Sequence, residues 1–308
     1  MMPTTTLATL PDERAALDPT GPCIDDDRLA LTNAEFLARV SATAAMLRAS
    51  GVGAGDVVAT MLTNRVELVV VMFAAWRVGA ALTPINPSLT AGEAAFQIED
   101  SSARVMFHEG AALDVPGVAI VDVATVDVAT VPATPVGGGP AVATAPDTLA
   151  LLIYTSGTTG KPKGVMLDHA NLTSMVGMIT EALGLTAADR CLLILPLFHV
   201  NGILVSVLSP LAAGGCTSVT GRFSPSTFFD TVEAVRPTFF SAVPAIYAML
   251  SALPDDVDPD TSSVRFAVCG AAPMPAELIA TFEQRYGPPI VEGYGLSECT
   301  CAATINPI

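Results

Sequence analysis

Apolar positions along the chain keep two alternating rhythms. The first has the spacing of a helix. Thr32 and Glu35 form a capping box ahead of Phe36, Val40, Ala44 and Leu47, and that stripe stops at Gly51. Asn64 stands three residues before Glu67 and opens an apolar helix over 66–78 that ends at Gly79. Thr90 and Glu93 open a shorter helix, Ser224-Pro225 starts another with proline in its first turn, and 275–286 ends at Gly287. The second rhythm is short and continuous. Residues 57–62, 104–107, 149–154, 191–195, 238–242 and 264–269 are apolar throughout rather than alternating, which predicts strands covered on both faces. Strand and helix in turn predict an α/β fold with mostly parallel sheets. Such sheets take ligands beyond the carboxyl ends of their strands, so the loops that follow strands are where chemistry is expected. One stretch keeps neither rhythm. Residues 121–130 are Val-Asp-Val-Ala-Thr twice over, then come Pro132, Pro135, Gly137-Gly138-Gly139, Pro140 and Pro146. No element is expected over 121–130, and a flexible surface connection is expected over 131–146.

Composition narrows the class. Hydrophobic residues are 51% of the 308 and charged residues 14%, which excludes a disordered polar chain or a coiled coil. The formal net charge of -16 argues against a nucleic-acid partner, which would need a basic face. The longest apolar stretches, 68–76 and 202–215, are short or are broken by Ser206, Ser209 and Pro210, so no transmembrane segment is expected. The first 17 residues lack the basic and apolar regions of a secretory signal. Six cysteines form no C-x-x-C pair and read as reduced, mostly buried thiols. Together these features predict a cytoplasmic protein.

The two lysines of the whole chain, Lys161 and Lys163, sit in one loop. That loop follows the predicted strand 149–154 and reads Thr155-Ser156-Gly157-Thr158-Thr159-Gly160-Lys161-Pro162-Lys163-Gly164. Hydroxyls donate hydrogen bonds, glycines let backbone N–H groups approach closely, and lysines supply point charge, a combination suited to a polyphosphate. A Walker A loop is excluded twice over. Its first glycine would fall at Thr155, and the residue after Lys161 is Pro162 rather than Ser or Thr. A GxGxxG fingerprint fails as well, because Gly51-Val52-Gly53-Ala54-Gly55 precedes a strand and residue 56 is Asp.

Residues 154–164, YTSGTTGKPKG, resemble the phosphate-loop signature of the adenylate-forming superfamily, which includes acyl-CoA synthetases, luciferases and nonribosomal adenylation domains. Four further segments resemble that family in its own order: 51–87, the aromatic-His segment 196–202 (PLFHVNG), the loop Gly270-Ala271-Ala272-Pro273, and 293–298 (GYGLSE). The resemblance covers about residue 30 to the end and is closest to fatty-acyl and small-carboxylate CoA ligases.

The resemblance implies two stacked, mostly parallel sheet subdomains, roughly 50–190 and 191–308, with 1–49 packing on the latter. It also implies roles. Thr155, Ser156, Gly157, Thr158, Thr159, Gly160, Lys161 and Lys163 would hold the β- and γ-phosphates of ATP. Tyr294 and Gly295 would meet adenine on one side, with Gly270, Ala271, Ala272 and Pro273 on the other. Ser297 would contact the α-phosphate, Glu298 would ligate Mg²⁺, and His199 would gate the mouth of the acyl pocket. A lone histidine among apolar neighbours is by itself more often structural than catalytic; the PLFHVNG context reverses that for His199, and His108 and His169 are read as structural. Phe239, Phe240, Val243, Pro244 and Ile246 could line the acyl pocket or form plain core. The implied activity is ATP-dependent conversion of a carboxylic acid to an acyl-adenylate and then, with coenzyme A, to acyl-CoA. By resemblance the chain is the large N-terminal domain, and the family's bridging lysine lies in a further C-terminal domain. The alternative is a truncated homologue that binds nucleotide or acyl ligand without turnover. The 308-residue polypeptide is therefore expected to show little or no ATP–pyrophosphate exchange with any carboxylic acid, because losing one preorganised charge-stabilising donor costs about 10²–10³ in rate. Robust exchange in a radiolabelled pyrophosphate assay would overturn that expectation.

Overall fold

The expected strands and helices form, and they organise two sheets. A computed structural model describes residues 6–110, 115–123, 139, 141–155 and 160–308. The chain divides into two compact units, one within Pro3–Ser174 and the other within Met175–Ile308.

The first unit begins with α1 (Leu10–Leu17), the hairpin β1 (Pro22–Asp25) and β2 (Ala30–Thr32), and α2 (Asn33–Ala49). It continues through β3 (Val57–Met61), α3 (Val66–Arg77), β4 (Ala81–Pro84), α4 (Ala91–Asp100), β5 (Ala103–His108) and β6 (Ala119–Asp122). It closes with β7 (Leu149–Thr155), β8 (Lys163–Asp168) and the start of α5 (His169–Ala182). Both capping boxes read from the sequence are made: Thr32 and Glu35 open α2, and Thr90 and Glu93 open α4. The sheet has the order β6-β5-β3-β4-β7-β8, parallel except that β8 returns antiparallel to β7.

Helix α3 is buried along its whole length, as a helix apolar on every side must be. Its two charged residues are compensated. Glu67 accepts from Arg65 and Arg28, and Arg77 pairs with both carboxylate oxygens of Asp12 at 2.6 and 3.0 Å. The Arg77 guanidinium also donates to the Gly139 carbonyl, and the Val142 N–H donates to the Arg77 carbonyl. The described residues of 131–146, 139 and 141–146, form no helix or strand, as a connection would, and Gly139 and Val142 are fastened to α3; residues 131–138 and 140 lie outside the described residues. The expectation for 121–130 is corrected at its first residues. Val121 and Asp122 pair with Phe107 and His108 as the end of β6, because a sheet edge accepts any short extended segment in register. Residues 124–130 lie outside the described residues.

The second unit holds the rest of α5, then β9 (Arg190–Leu193), α6 (Val200–Ile203), a π turn (Leu204–Leu208) and α7 (Ser209–Ala212). It continues with β10 (Cys216–Val219), α8 (Pro225–Val235), β11 (Phe239–Ala242), α9 (Pro244–Ser251), β12 (Phe266–Cys269), α10 (Ala276–Tyr286), β13 (Ile290–Tyr294) and β14 (Thr304–Ile305). Its strands run β14-β13-β12-β11-β9-β10, all parallel except β14. Order reverses at β9, whose neighbours β10 and β11 lie on opposite sides, and that reversal opens a crevice at the carboxyl ends. Phe228, Phe229, Phe240, Tyr247, Phe282 and Tyr286 pack one face of this sheet with edge-on and tilted ring contacts. The break at Ser206, Ser209 and Pro210 does not end the helical path. The Ser209 hydroxyl donates to the Leu204 carbonyl at 2.7 Å, and Pro210 stands in the first turn of α7, where its missing N–H costs nothing. No helix among the described residues is long and apolar enough to cross a membrane. None of the six cysteines is in a disulfide, and five are buried.

His169 opens α5 with its ring edge-on to Trp76 at 5.5 Å, and neither ring nitrogen has a hydrogen-bond partner. Burial lowers its pKa from the ordinary 6.5 to about 4, with Asp168 opposing. The native state thus resists a proton that the unfolded state accepts below pH 6.5. Stability is full above that value and falls as pH drops toward 4. Between pH 7 and 5 the loss from this group is about 2 kcal/mol. On going from pH 7 to pH 5 the parent chain should lose about 2 kcal/mol more stability than His169→Leu in urea denaturation; an unchanged difference would refute the assignment.

Candidate functional site

In the second unit the loops after β9, β11, β12 and β13 converge. The segment after β9 carries Leu195, Pro196, Phe198 and His199. His199 caps α6 in extended conformation, its N–H bonded to the Pro196 carbonyl and its ring 4.6 Å from that of Phe198. Gly202 lets this turn close, because a Cβ there would stand 2.7 Å from the Pro196 carbonyl oxygen. Surrounding chain lowers the His199 pKa by desolvation although part of the ring is exposed, so it is neutral at pH 7. Asn201 is held by the buried Ser241 hydroxyl, 2.8 Å from its amide oxygen.

The loop after β12 is Gly270-Ala271-Ala272-Pro273. Ala271 has φ +70, a left-handed conformation that costs a residue with a Cβ about 1 kcal/mol and is held here by its surroundings. After β13 the chain turns through Gly295, Leu296 and a single helical turn at Ser297–Cys299, then returns as β14. Gly293 pairs with Ile305, Tyr294 pairs with Thr304, and the Ala303 N–H donates to the Tyr294 carbonyl at 2.8 Å. Gly295 is required by close approach, since a Cβ there would lie 1.7 Å from the Cys301 carbonyl oxygen.

These loops wall two cavities. The first, about 290 Å³, is lined by aliphatic residues from α5 to β14, together with His199, Asn201, Ser297, Cys269 and Cys301. The second, about 360 Å³, is lined by Ala271, Ala272, Pro273, Glu292, Thr304 and Asn306 among others. Ala271, Gly293, Tyr294 and Gly295 line both. Tyr294 is 68% exposed, an aromatic ring with a free face. Burial raises the Cys269 and Cys301 thiols to about 12, with Glu292 adding for the former and Cys299 for the latter, so both stay uncharged. Glu298 is exposed on the short helical turn and lines neither cavity, whereas Ser297 lines the first. Among the described residues no cluster of three acidic, His or Cys side chains could hold a metal. A cation at Glu298 would therefore take its other oxygens from phosphate and water, which suits Mg²⁺.

In the first unit, Thr155 ends β7 and pairs with Lys163 of β8, making the lysine loop a hairpin between antiparallel strands. Gly160 turns with φ +89, and Lys161 and Lys163 are exposed. The Lys161 ammonium lies 5.8 Å above the Phe96 ring, and the Tyr154 hydroxyl donates to Asp100 at 2.7 Å, so both ends of the loop rest on α4. Ser156, Gly157, Thr158 and Thr159 lie outside the described residues.

Of the residues weighed for an acyl pocket, only Val243 lines the first cavity. Phe239, Phe240 and Ile246 are core, the two phenylalanines on opposite faces of β11, and Pro244 starts α9. Of the polar lining, Asn201 lies within the PLFHVNG segment, whereas Glu292, Thr304 and Asn306 were not singled out from the sequence. Their only sequence signal is that Glu292 adjoins the GYGLSE segment and that Thr304 and Asn306 follow it.

The family description "AMP-binding enzyme" matches residues 6–308. The chain belongs to that family. It is 35% identical over 293 residues to the feruloyl-CoA synthase of Amycolatopsis sp, covering 95% of this chain and 59% of that protein. It is 31% identical over 299 residues to a probable CoA ligase, CCL9, of Humulus lupulus, covering 90% and 56%. The chain thus spans somewhat more than half the length of these relatives. The inhibitor-bound N-terminal domain of FACL13 from Mycobacterium tuberculosis superposes with a TM-score of 0.88 at 28% identity, over 98% of this chain and 78% of that one.

Gly295→Ala should disrupt the wall common to both cavities. Its Cβ meets backbone that cannot swing aside, so about 3 kcal/mol of stability should be lost in urea denaturation. A variant as stable as the parent would show that the turn has room to spare.

Proposed function

We propose that this chain supplies the nucleotide and acid sites of an acyl-CoA synthetase that activates a carboxylic acid with ATP. The observation that carries the reading is the pair of cavities divided by Ala271, Gly293, Tyr294 and Gly295. One is apolar with a neutral histidine at its mouth, and the other is more polar, with an exposed tyrosine ring at its edge. An acid's tail and an adenine base would each find its own chemistry on either side of one strip of backbone.

In this reading Tyr294 stacks on adenine, and the loop Gly270–Pro273 lines the base's other side. Ser297 offers its hydroxyl to the α-phosphate. Lys161, Lys163 and the Thr155–Gly160 turn hold the β- and γ-phosphates. A carboxylate oxygen of the acid bonds the α-phosphorus, the bond to pyrophosphate breaks, and pyrophosphate leaves. The thiol of coenzyme A then takes the acyl group and AMP departs. His199 stays uncharged and screens the mouth of the acid cavity rather than carrying a proton. Mg²⁺ held by Glu298 would neutralise charge on the transferring phosphoryl group. The chain's family and its relatives, which are CoA ligases, support this reading. We place the activity in the cytoplasm.

Calorimetric titration with AMP and with Mg-ATP tests the assignment. Both should bind, and Tyr294→Ala should weaken AMP about tenfold through loss of base stacking. No binding of either nucleotide, or an unchanged affinity in the variant, would overturn it.

A further inference from the structure

The cavity behind His199 is specific about what it can accept, if the proposed function is right that it holds the acid. Its interior is aliphatic: Ile179, Leu183, Leu195, Val205 and Val268 are all buried. The exposed residues of the lining, Tyr294, Leu296 and His199, mark its mouth. No Asp, Glu, Lys or Arg is among the described residues that line it. A second carboxylate, a sulfonate or an ammonium group carried inside would lose its water and find no counter-charge, a cost of several kcal/mol. The two thiols do not alter this, since both remain protonated. The few polar groups, Asn201, Ser297 and His199, belong to loop segments next to the strip shared with the second cavity. They suit one carboxylate end and leave nothing polar for the other.

We infer that the substrate is a monocarboxylic acid whose tail carries no charge, aliphatic or aryl. Dicarboxylates and amino acids are rejected by the uncharged interior. Acetate leaves most of the cavity, about 290 Å³, unfilled and forgoes the burial that would retain it.

Sulfamoyl-adenosine conjugates of acetate, octanoate, phenylacetate and succinate, titrated calorimetrically into the 308-residue chain beside AMP alone, decide the matter. Octanoyl and phenylacetyl conjugates should bind at least about tenfold more tightly than the acetyl and succinyl conjugates. Leu183→Ala, which removes apolar lining, should weaken the octanoyl conjugate more than the acetyl one. Should that variant fail to fold, Ile179→Val should act in the same direction to a smaller extent. Nucleotide binding with a flat ranking, or with succinyl tightest, overturns the substrate class alone. Failure of AMP and every conjugate together overturns the proposed function and this inference with it.

Discussion

The second unit's site depends on one short antiparallel pairing, Gly293 and Tyr294 of β13 against Ile305 and Thr304 of β14. Strands β9 to β13 pair in parallel, and parallel strands point their carboxyl ends at one edge. β14 folds back at that edge and fixes the intervening turn, so Tyr294, Gly295 and Ser297 stand as a wall rather than as a free loop. Two glycines permit the close turns of the site for one reason. At Gly295 a carbonyl occupies the place of a side chain, and at Gly202 the same is true for the segment bearing His199.

Electrostatics divide the site by omission as much as by placement. The mouth carries His199, whose pKa is lowered by desolvation, and the interior holds two thiols whose pKa values are raised by burial, so all three are neutral. The chain as a whole is strongly acidic, yet its only lysines stand together on the β7–β8 hairpin. Both of its lysine ammonium groups thus stand on the hairpin whose composition suits phosphate, and Phe96 and Asp100 of α4 brace that hairpin at Lys161 and Tyr154.

Much of the fold was legible because its signals are local. Capping boxes at Thr32 and Thr90 act within four residues, and continuous apolar runs report burial on both faces of a strand. The segments 154–164 and 293–298 were legible for the same reason, being dense in residue types with few structural uses. The β14 return was not legible. Two residues carry no periodicity, and their partner lies about ten positions away across a turn. The fastening of Gly139 and Val142 to Arg77 escaped notice too, because it depends on a guanidinium and a carbonyl more than sixty residues distant.

The sequence by itself determined the alternation of strands and helices, the phosphate-suited turn and the family to which both belong. Tertiary structure alone decided which apolar residues face a ligand and which face one another. Val243 lines a cavity while Phe239 and Phe240, a few positions earlier, are core, although all three are simply apolar in the sequence. The physical reason is that hydrophobicity drives burial without direction, and only the crossing of β11 with its neighbours selects the side chain left beside a void.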